Sequence, residues 1–342
     1  MTDRSAGAAE LVELWRGDYL ESVHRGHAVV MGPDGDILAA WGDADATIFP
    51  RSSCKMIQAL PLLESGAAAA HDLTSEHLAL ACASHNGARI HTDRVARWLA
   101  DLALGEADLR CGPQMPQDRP ARSEMQAAGG HPCQLHNNCS GKHAGFLTLG
   151  KYLDAGPEYI EVDHPVQHAV FEAFADMTGE EIVGHGVDGC SAPNPVCSLT
   201  GLARAAQRMA APQGLGPQRS AAARDLVAAM ARHPDLVAGE GRACTALMRG
   251  ARGGTVVKTG AEGVFVGILP AAGIGVALKV EDGTTRAAEC AMAALLVRLG
   301  GAEAEAPLIR DWLSPIQLNR RNVVTGLLKP SAQFYHDGAL LV

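Results

Sequence analysis

Aromatic side chains are scarce in this 342-residue sequence, at 4% against 47% hydrophobic residues in all. Any core must therefore be built from aliphatic and small side chains, and the length suffices for one large domain or two modest ones. Massed positive charge is missing as well. The formal net charge is −9 and the basic residues are scattered, which leaves no footprint for a phosphate backbone, so no nucleic-acid partner is expected. No apolar run reaches the length of a membrane span. The opening MTDRSAGAAELVELWRGDYL carries acidic residues where a signal peptide would carry basic and apolar ones. A cytoplasmic chain without a membrane partner is the expectation. Repeats and linkers are absent. The nine cysteines are odd in number and irregular in spacing, which in a chain lacking a secretion signal argues for free thiols.

What is present begins with turn and strand signals. Residues 27–32 and 36–41 are apolar runs around Pro33-Asp34-Gly35 and predict a hairpin. Residues 254–258, 263–269 and 273–280 read as three short strands separated by glycine-rich turns, followed by a helix over about 284–299. Thr92 stands as the cap of a helix with an apolar face of Val95, Trp98, Leu99 and Leu102. Asp163 stands as the cap of another that Gly179 stops. Strands at both ends and helices between them predict an α/β (α+β) fold. One antiparallel sheet from the 27–42 hairpin and the 254–280 strands is flanked by helices, with a helical middle of about 52–235, and 1–342 is taken as a single domain.

The chemistry starts at Ser52. Ser52-Ser53-Cys54-Lys55 opens an apolar helical pattern that Pro61 should kink or end, and Ser-x-x-Lys at a helix start puts hydroxyl and amine on one face, one turn apart. A serine is a weak nucleophile until a base takes its proton, and a lysine serves only where desolvation or a neighbouring cation makes it neutral. Unaided, the spacing more often means a capping serine and a surface lysine. Two further motifs add weight: Ser84-His85-Asn86 where an apolar segment breaks into a loop, and Lys258-Thr259-Gly260 at a strand end. In this order they form the motif set of penicillin-recognising serine hydrolases. The short interval between the two serines departs from that set and argues against a true β-lactamase.

Two glycine-containing loops have no counterpart in those enzymes: HNNCSGKHAGFL (136–147) and GVDGCSAPNP (186–195). Cys139 and Cys190 could supply two thiolates to a zinc ion, with Asp188, Lys142 and His143 in local reach. By spacing alone, loop hydrogen bonding is the commoner explanation, since no C-x-x-C occurs.

Taken together, Arg51-Ser52-Ser53-x-Lys55, Ser84-His85-Asn86, the two loops and Val257-Lys258-Thr259-Gly260 resemble the rhizobial-type L-asparaginases, a serine-dependent class, from about His27 to about Val280. The resemblance implies a β-lactamase-like fold, a homodimer, and hydrolysis of L-asparagine to L-aspartate and ammonia. It implies Ser-Lys tandems at Ser52 with Lys55 and Ser84 with Lys258. It also implies zinc held by Cys139, Lys142, Cys190 and a water, with Asp188 beside that site and Arg51 near the substrate. Asn86 and His143 complete the expected substrate-binding set. Ser52 is the first choice of nucleophile, and zinc is expected to organise loops or position substrate. A serine-dependent glutaminase or a β-lactam or peptide amidohydrolase is the nearest alternative. A non-catalytic amino-acid-binding regulator is the second, and it leaves two Ser-Lys pairs without a purpose.

Overall fold

The valine- and isoleucine-rich runs form strands because branched side chains pack well on a pleated surface. In the computed structural model, which describes residues 7–342, they build one antiparallel sheet: β1 (Ala9–Arg16), β2 (Tyr19–Met31), β3 (Ile37–Trp41), β4 (Val256–Thr259), β5 (Val264–Leu269), β6 (Ile274–Val280), β7 (Ile316–Leu318) and β8 (Val324–Pro330). The order is β7-β8-β1-β2-β6-β5-β4, with β3 also paired to β2. Every side chain of β4 and β5 is buried, as expected of strands covered on both faces. Register shows the two covers. Gly275 pairs with Ile268 and Gly267 with Val276, so Gly275 and Gly267 face opposite sides. A Cβ on Gly275 would sit 2.0 Å from Gln207 N in the helix Leu199–Ala210, and one on Gly267 would sit 3.1 Å from Met292 Sδ in the helix Thr285–Arg298.

The expected hairpin, three-strand meander and following helix are all present. The sheet is wider than the sequence predicts, because β1 and the β7–β8 hairpin had not been expected. Their patterns are interrupted: β1 carries a register shift between Glu10 and Val12, and β8 contains Gly326 and ends in Pro330. Gly326 is there because any Cβ would meet Trp15 O of β1 at 2.5 Å. Two capping expectations are corrected. The helix assigned to Thr92 starts at Arg89 after Ala88. The helix assigned to Asp163 is Pro165–Thr178, capped by His164, whose Nδ1 accepts from Val166 N–H at 3.2 Å; Gly179 closes it in the left-handed region as expected. The serines at 52 and 53 cap nothing. Arg51–Cys54 is a 3-10 turn leading into Lys55–Gln58, and the chain breaks again at Ala59 before the helix Leu60–Glu64 that carries Pro61.

By its contacts the chain groups into two compact units. Among the described residues, 7–53, 197–211 and 246–342 form the sheet unit, and 54–196 and 212–245 form the helical unit. At the centre of the helical unit, the helix Ser140–Tyr152 is buried continuously from Ser140 to Gly150. Gly141 makes this possible. A Cβ there would lie 2.3 Å from Leu80 O in the neighbouring helix Ser75–Ala81, so only glycine lets the two backbones touch.

Candidate active site

The helical unit holds most of the residues singled out from the sequence. Lys55 is fully buried, and its Nζ lies 3.1 Å from Ser84 Oγ and 3.1 Å from Cys139 Sγ while also donating to Ala83 O. Ser84 is buried on the loop after Ser75–Ala81, where its N–H donates to Val237 O at 2.9 Å. The structure thus joins Lys55 with the serine of the second motif and the cysteine of the first loop.

Cys190 and Lys142 form the other half of this cluster. Lys142 Nζ is 3.1 Å from Cys190 Sγ, and Asp188 Oδ2 is 4.0 Å from the same sulfur. The Cys190 thiol is held well below its usual range, because Cys139 donates a hydrogen bond to it and Lys142⁺ stands beside it, against the cost of burial. Cys139 moves the other way, since it is the donor to Cys190 and is buried. Burial opposes charge on Lys142, but Cys190, Cys139 and Asp188 outweigh it and push its pKa up. The two thiols are thus shifted in opposite directions by the contact they share, with the Lys142 amine beside Cys190. Burial first, and the Cys139 and Cys190 sulfurs second, push the Cys111 thiol up to about 12.

The remaining expected binders play more local parts. His143 is fully buried; its Nδ1 lies 2.9 Å from Tyr159 Oη, while its Nε2 has no hydrogen-bond partner. Burial first, and Lys142 second, keep this imidazole neutral. Asn86 spends its amide on backbone: Oδ1 accepts from Ala88 N–H at 3.2 Å and Nδ2 donates to Glu240 O at 3.4 Å. Asp188 is half-buried.

Ser52, Arg51 and Lys258 belong to the sheet unit. Arg51 has φ +54°, a left-handed conformation that costs energy for any side chain with a Cβ. Ser53 holds the turn by donating from both N (3.2 Å) and Oγ (2.7 Å) to Pro50 O. Gly260 presses against this turn; a Cβ there would meet Pro50 O at 2.7 Å and Ser53 N at 3.2 Å. The Lys-Thr-Gly motif is thereby seated on the turn that presents Ser52. Lys258 is fully buried in β4, and its Nζ donates to Thr259 O at 2.7 Å.

Among the described residues no group of three or more His, Cys, Asp or Glu side chains is disposed to hold a metal. The donor chemistry fits a soft cation, because two sulfurs and an amine converge. Sequence reasoning missed Tyr159, which bridges His143 and the Arg110 N–H (2.7 Å); no motif signals it. It also left His85 without a role, although the residue stands beside Ser84 in the quoted motif.

The model of the L-asparaginase II family matches residues 12–330. The chain belongs to that family. This L-asparaginase II member is an amidohydrolase, and its reaction is the hydrolysis of L-asparagine to L-aspartate and ammonia. Solved structures similar to it are distant. A beta-lactamase from Mycobacterium bovis is 15% identical, with 77% of this chain and 89% of that one covered and a TM-score of 0.40. Mglu in its tris and glutamate form is 16% identical, with 85% and 63% covered and a TM-score of 0.45. A putative beta-lactamase from Bacteroides dorei DSM 17855 is 13% identical, with 75% and 84% covered and a TM-score of 0.42. No individually curated protein matches significantly. No helix among the described residues is long and apolar enough to cross a membrane.

Proposed function

We propose that this asparaginase works by acyl transfer, with Ser52 as nucleophile and Lys55 and Ser84 as the proton path. The observation that carries the reading is the Lys55 amine 3.1 Å from Ser84 Oγ. In its neutral form Lys55 donates to Ala83 O and Cys139 Sγ and keeps a lone pair for a proton arriving through Ser84. Ser52 suits attack because it is half-buried, on a strained turn, whereas Ser84 is 4% exposed. Its Oγ bonds to the side-chain carbonyl carbon of asparagine as its proton passes to the lysine. The C–N bond then breaks, the proton goes to the departing nitrogen, and ammonia leaves an aspartyl ester. Water attacks that ester, loses its proton back along the same path, and releases L-aspartate. Lys258 is assigned the second amine of the proton relay, and Arg51 and Asp188 the α-carboxylate and α-ammonium of the substrate.

Cys139, Lys142 and Cys190 would hold zinc, which would supply a fixed positive charge that makes Lys142 neutral and ties the two loops together. Nine free cysteines support a reducing, cytoplasmic setting. Exposed Ile316, Leu318 and Val324 on β7 and β8 support a homodimer, which light scattering would test.

A second reading makes Ser84 the nucleophile, favoured by that same 3.1 Å contact with Lys55. Ser52→Ala and Ser84→Ala, each mixed with L-asparagine and searched for an acyl adduct by mass spectrometry, separate the two. An adduct that survives Ser84→Ala and vanishes in Ser52→Ala supports Ser52. An adduct that survives only in Ser52→Ala assigns the attack to Ser84.

A further inference from the structure

Lys55 bridges Ser84 Oγ and Cys139 Sγ at 3.1 Å each. The residue after each partner makes a second connection. His85 Nε2 lies 2.9 Å from Ser140 Oγ, and His85 N–H donates to Asn138 O at 3.1 Å. The tautomer follows from the other ring nitrogen. His85 Nδ1 accepts from Gly87 N–H at 3.1 Å, so the ring proton is on Nε2 and is donated to Ser140. The Ser140 hydroxyl in turn donates to Leu135 O at 3.1 Å. The result is a one-way chain from Gly87 N–H through His85 and Ser140 to Leu135 O. The ring plane is fixed as well, because His91 stacks on His85 with centroids 4.6 Å apart and planes 7° apart, and His91 Nε2 is held at 2.9 Å by Asp235 O. His85 and Ser140 are both buried, so neither bond can be exchanged for water.

We infer that His85 and Ser140 are positioning residues: their bond is a strut that sets the spacing between Ser84 and Cys139, and so the width of the gap that Lys55 spans. The chain geometry is what makes the strut specific. Ser84 and His85 are consecutive, as are Cys139 and Ser140. Fixing His85 against Ser140 therefore fixes the two preceding residues, whose side chains both meet Lys55. The catalytic consequence rests on the acyl-transfer reading above, in which Lys55 must receive a proton through Ser84. Proton transfer depends steeply on such distances, and a misplacement of about 1 Å can cost about 10²-fold in rate.

Single variants separate the strut's two ends. His85→Asn keeps an acceptor for Gly87 N–H but falls short of Ser140; His85→Gln reaches Ser140 with an amide N–H; Ser140→Ala removes the acceptor. Steady-state kinetics with L-asparagine should show kcat down roughly 10- to 100-fold in His85→Asn and Ser140→Ala, with KM changed by less than about threefold. His85→Asn/Ser140→Ala should be no worse than the poorer single variant, the non-additivity of one shared interaction, and His85→Gln should recover most of kcat. Unchanged kcat in Ser140→Ala, losses that multiply in the double variant, or an equal rise in KM that accounts for the whole loss would overturn the strut. Should the His85 variants fail to fold, Ser140→Ala alone decides by the same criterion. A crystal structure of Ser140→Ala tests the spacing without turnover. The Ser84 Oγ to Cys139 Sγ separation should differ from wild type by about 0.5 Å or more, and an identical separation contradicts the proposal. If wild type releases no ammonia from L-asparagine, the functional reading fails while this structural readout still judges the strut.

Discussion

The two units of the chain bury different things. In the sheet unit, β5 and β6 are made of Val, Ile, Leu, Phe, Ala and Gly with a single Lys at position 279, and their burial is the usual aliphatic kind. In the helical unit, the buried core contains Lys55, His85, His91, Cys139, Lys142, His143 and Cys190. Burying ionisable groups is costly unless they are paired. Here most are paired, from Lys55 beside Ala83 O, Ser84 and Cys139 to Lys142 on Cys190, while His91 Nδ1 and His143 Nε2 have no partner. The lesson is one of proportion: most of the buried reactive groups lie in the helical unit, whereas in the sheet unit a mainly aliphatic core encloses a few, Lys258 among them.

Opposite responses to substitution in the two units would sharpen this contrast most. Lys55→Met removes the proposed base and fills its space with an apolar chain. Ammonia release should fall by about 10²- to 10⁴-fold, the range for general-base removal, while the protein still unfolds cooperatively in urea. In the sheet unit, Ile268→Ala empties a side chain that is 1% exposed. It should cost about 2–5 kcal/mol in unfolding free energy and leave kcat per folded molecule unchanged. If Lys55→Met chiefly destabilises, or Ile268→Ala chiefly slows turnover, the contrast fails.

A glycine pair probes the same distinction within one helix. Gly141→Ala would force a Cβ to within 2.3 Å of Leu80 O, whereas Gly150→Ala meets nothing closer than Val166 Cγ2 at 3.6 Å. Thermal melts should show Gly141→Ala destabilised by about 1–3 kcal/mol and Gly150→Ala stabilised by up to about 1 kcal/mol, the helix preference for alanine.

Acid response should also separate the units. His85 and His143 are held below the ordinary value of 6.5, both chiefly by burial. Above pH 6.5 both folded and unfolded chains carry them neutral, and their contribution is constant. As pH falls below 6.5, the unfolded chain takes up protons that the folded one refuses. Stability should then drop by up to about 1.4 kcal/mol per pH unit for each histidine. Urea titrations at pH 7 and pH 5.5 should show a smaller drop in His85→Asn than in wild type. Equal drops would mean that His85 is protonated in the folded state.

Much of this was legible in the sequence because turn chemistry and burial agreed. The 254–280 strands lie between glycines, and apart from Thr255, Lys258, Thr259 and Lys279 their side chains are apolar. β1 and β8 were not legible, because the β1 bulge and Gly326 are dictated by the partner strand, which no local pattern reveals. In the candidate site, the motifs identified Lys55, Ser84, Cys139, Lys142 and Cys190. That Lys55 meets Ser84 and Cys139 at once depends on the close crossing at Gly141, a long-range contact. The left-handed Arg51 was equally hidden, since it sits in the Pro50–Ser53 turn against which Gly260, distant in sequence, packs.

The central claim is that this chain hydrolyses the side-chain amide of L-asparagine. Steady-state ammonia release by the purified protein, with L-asparagine and L-glutamine measured side by side and nitrocefin cleavage followed in parallel, tests it most directly. Turnover of L-asparagine well above the other two is the predicted result. A folded protein that releases no ammonia from L-asparagine, or that prefers L-glutamine or nitrocefin, would contradict it.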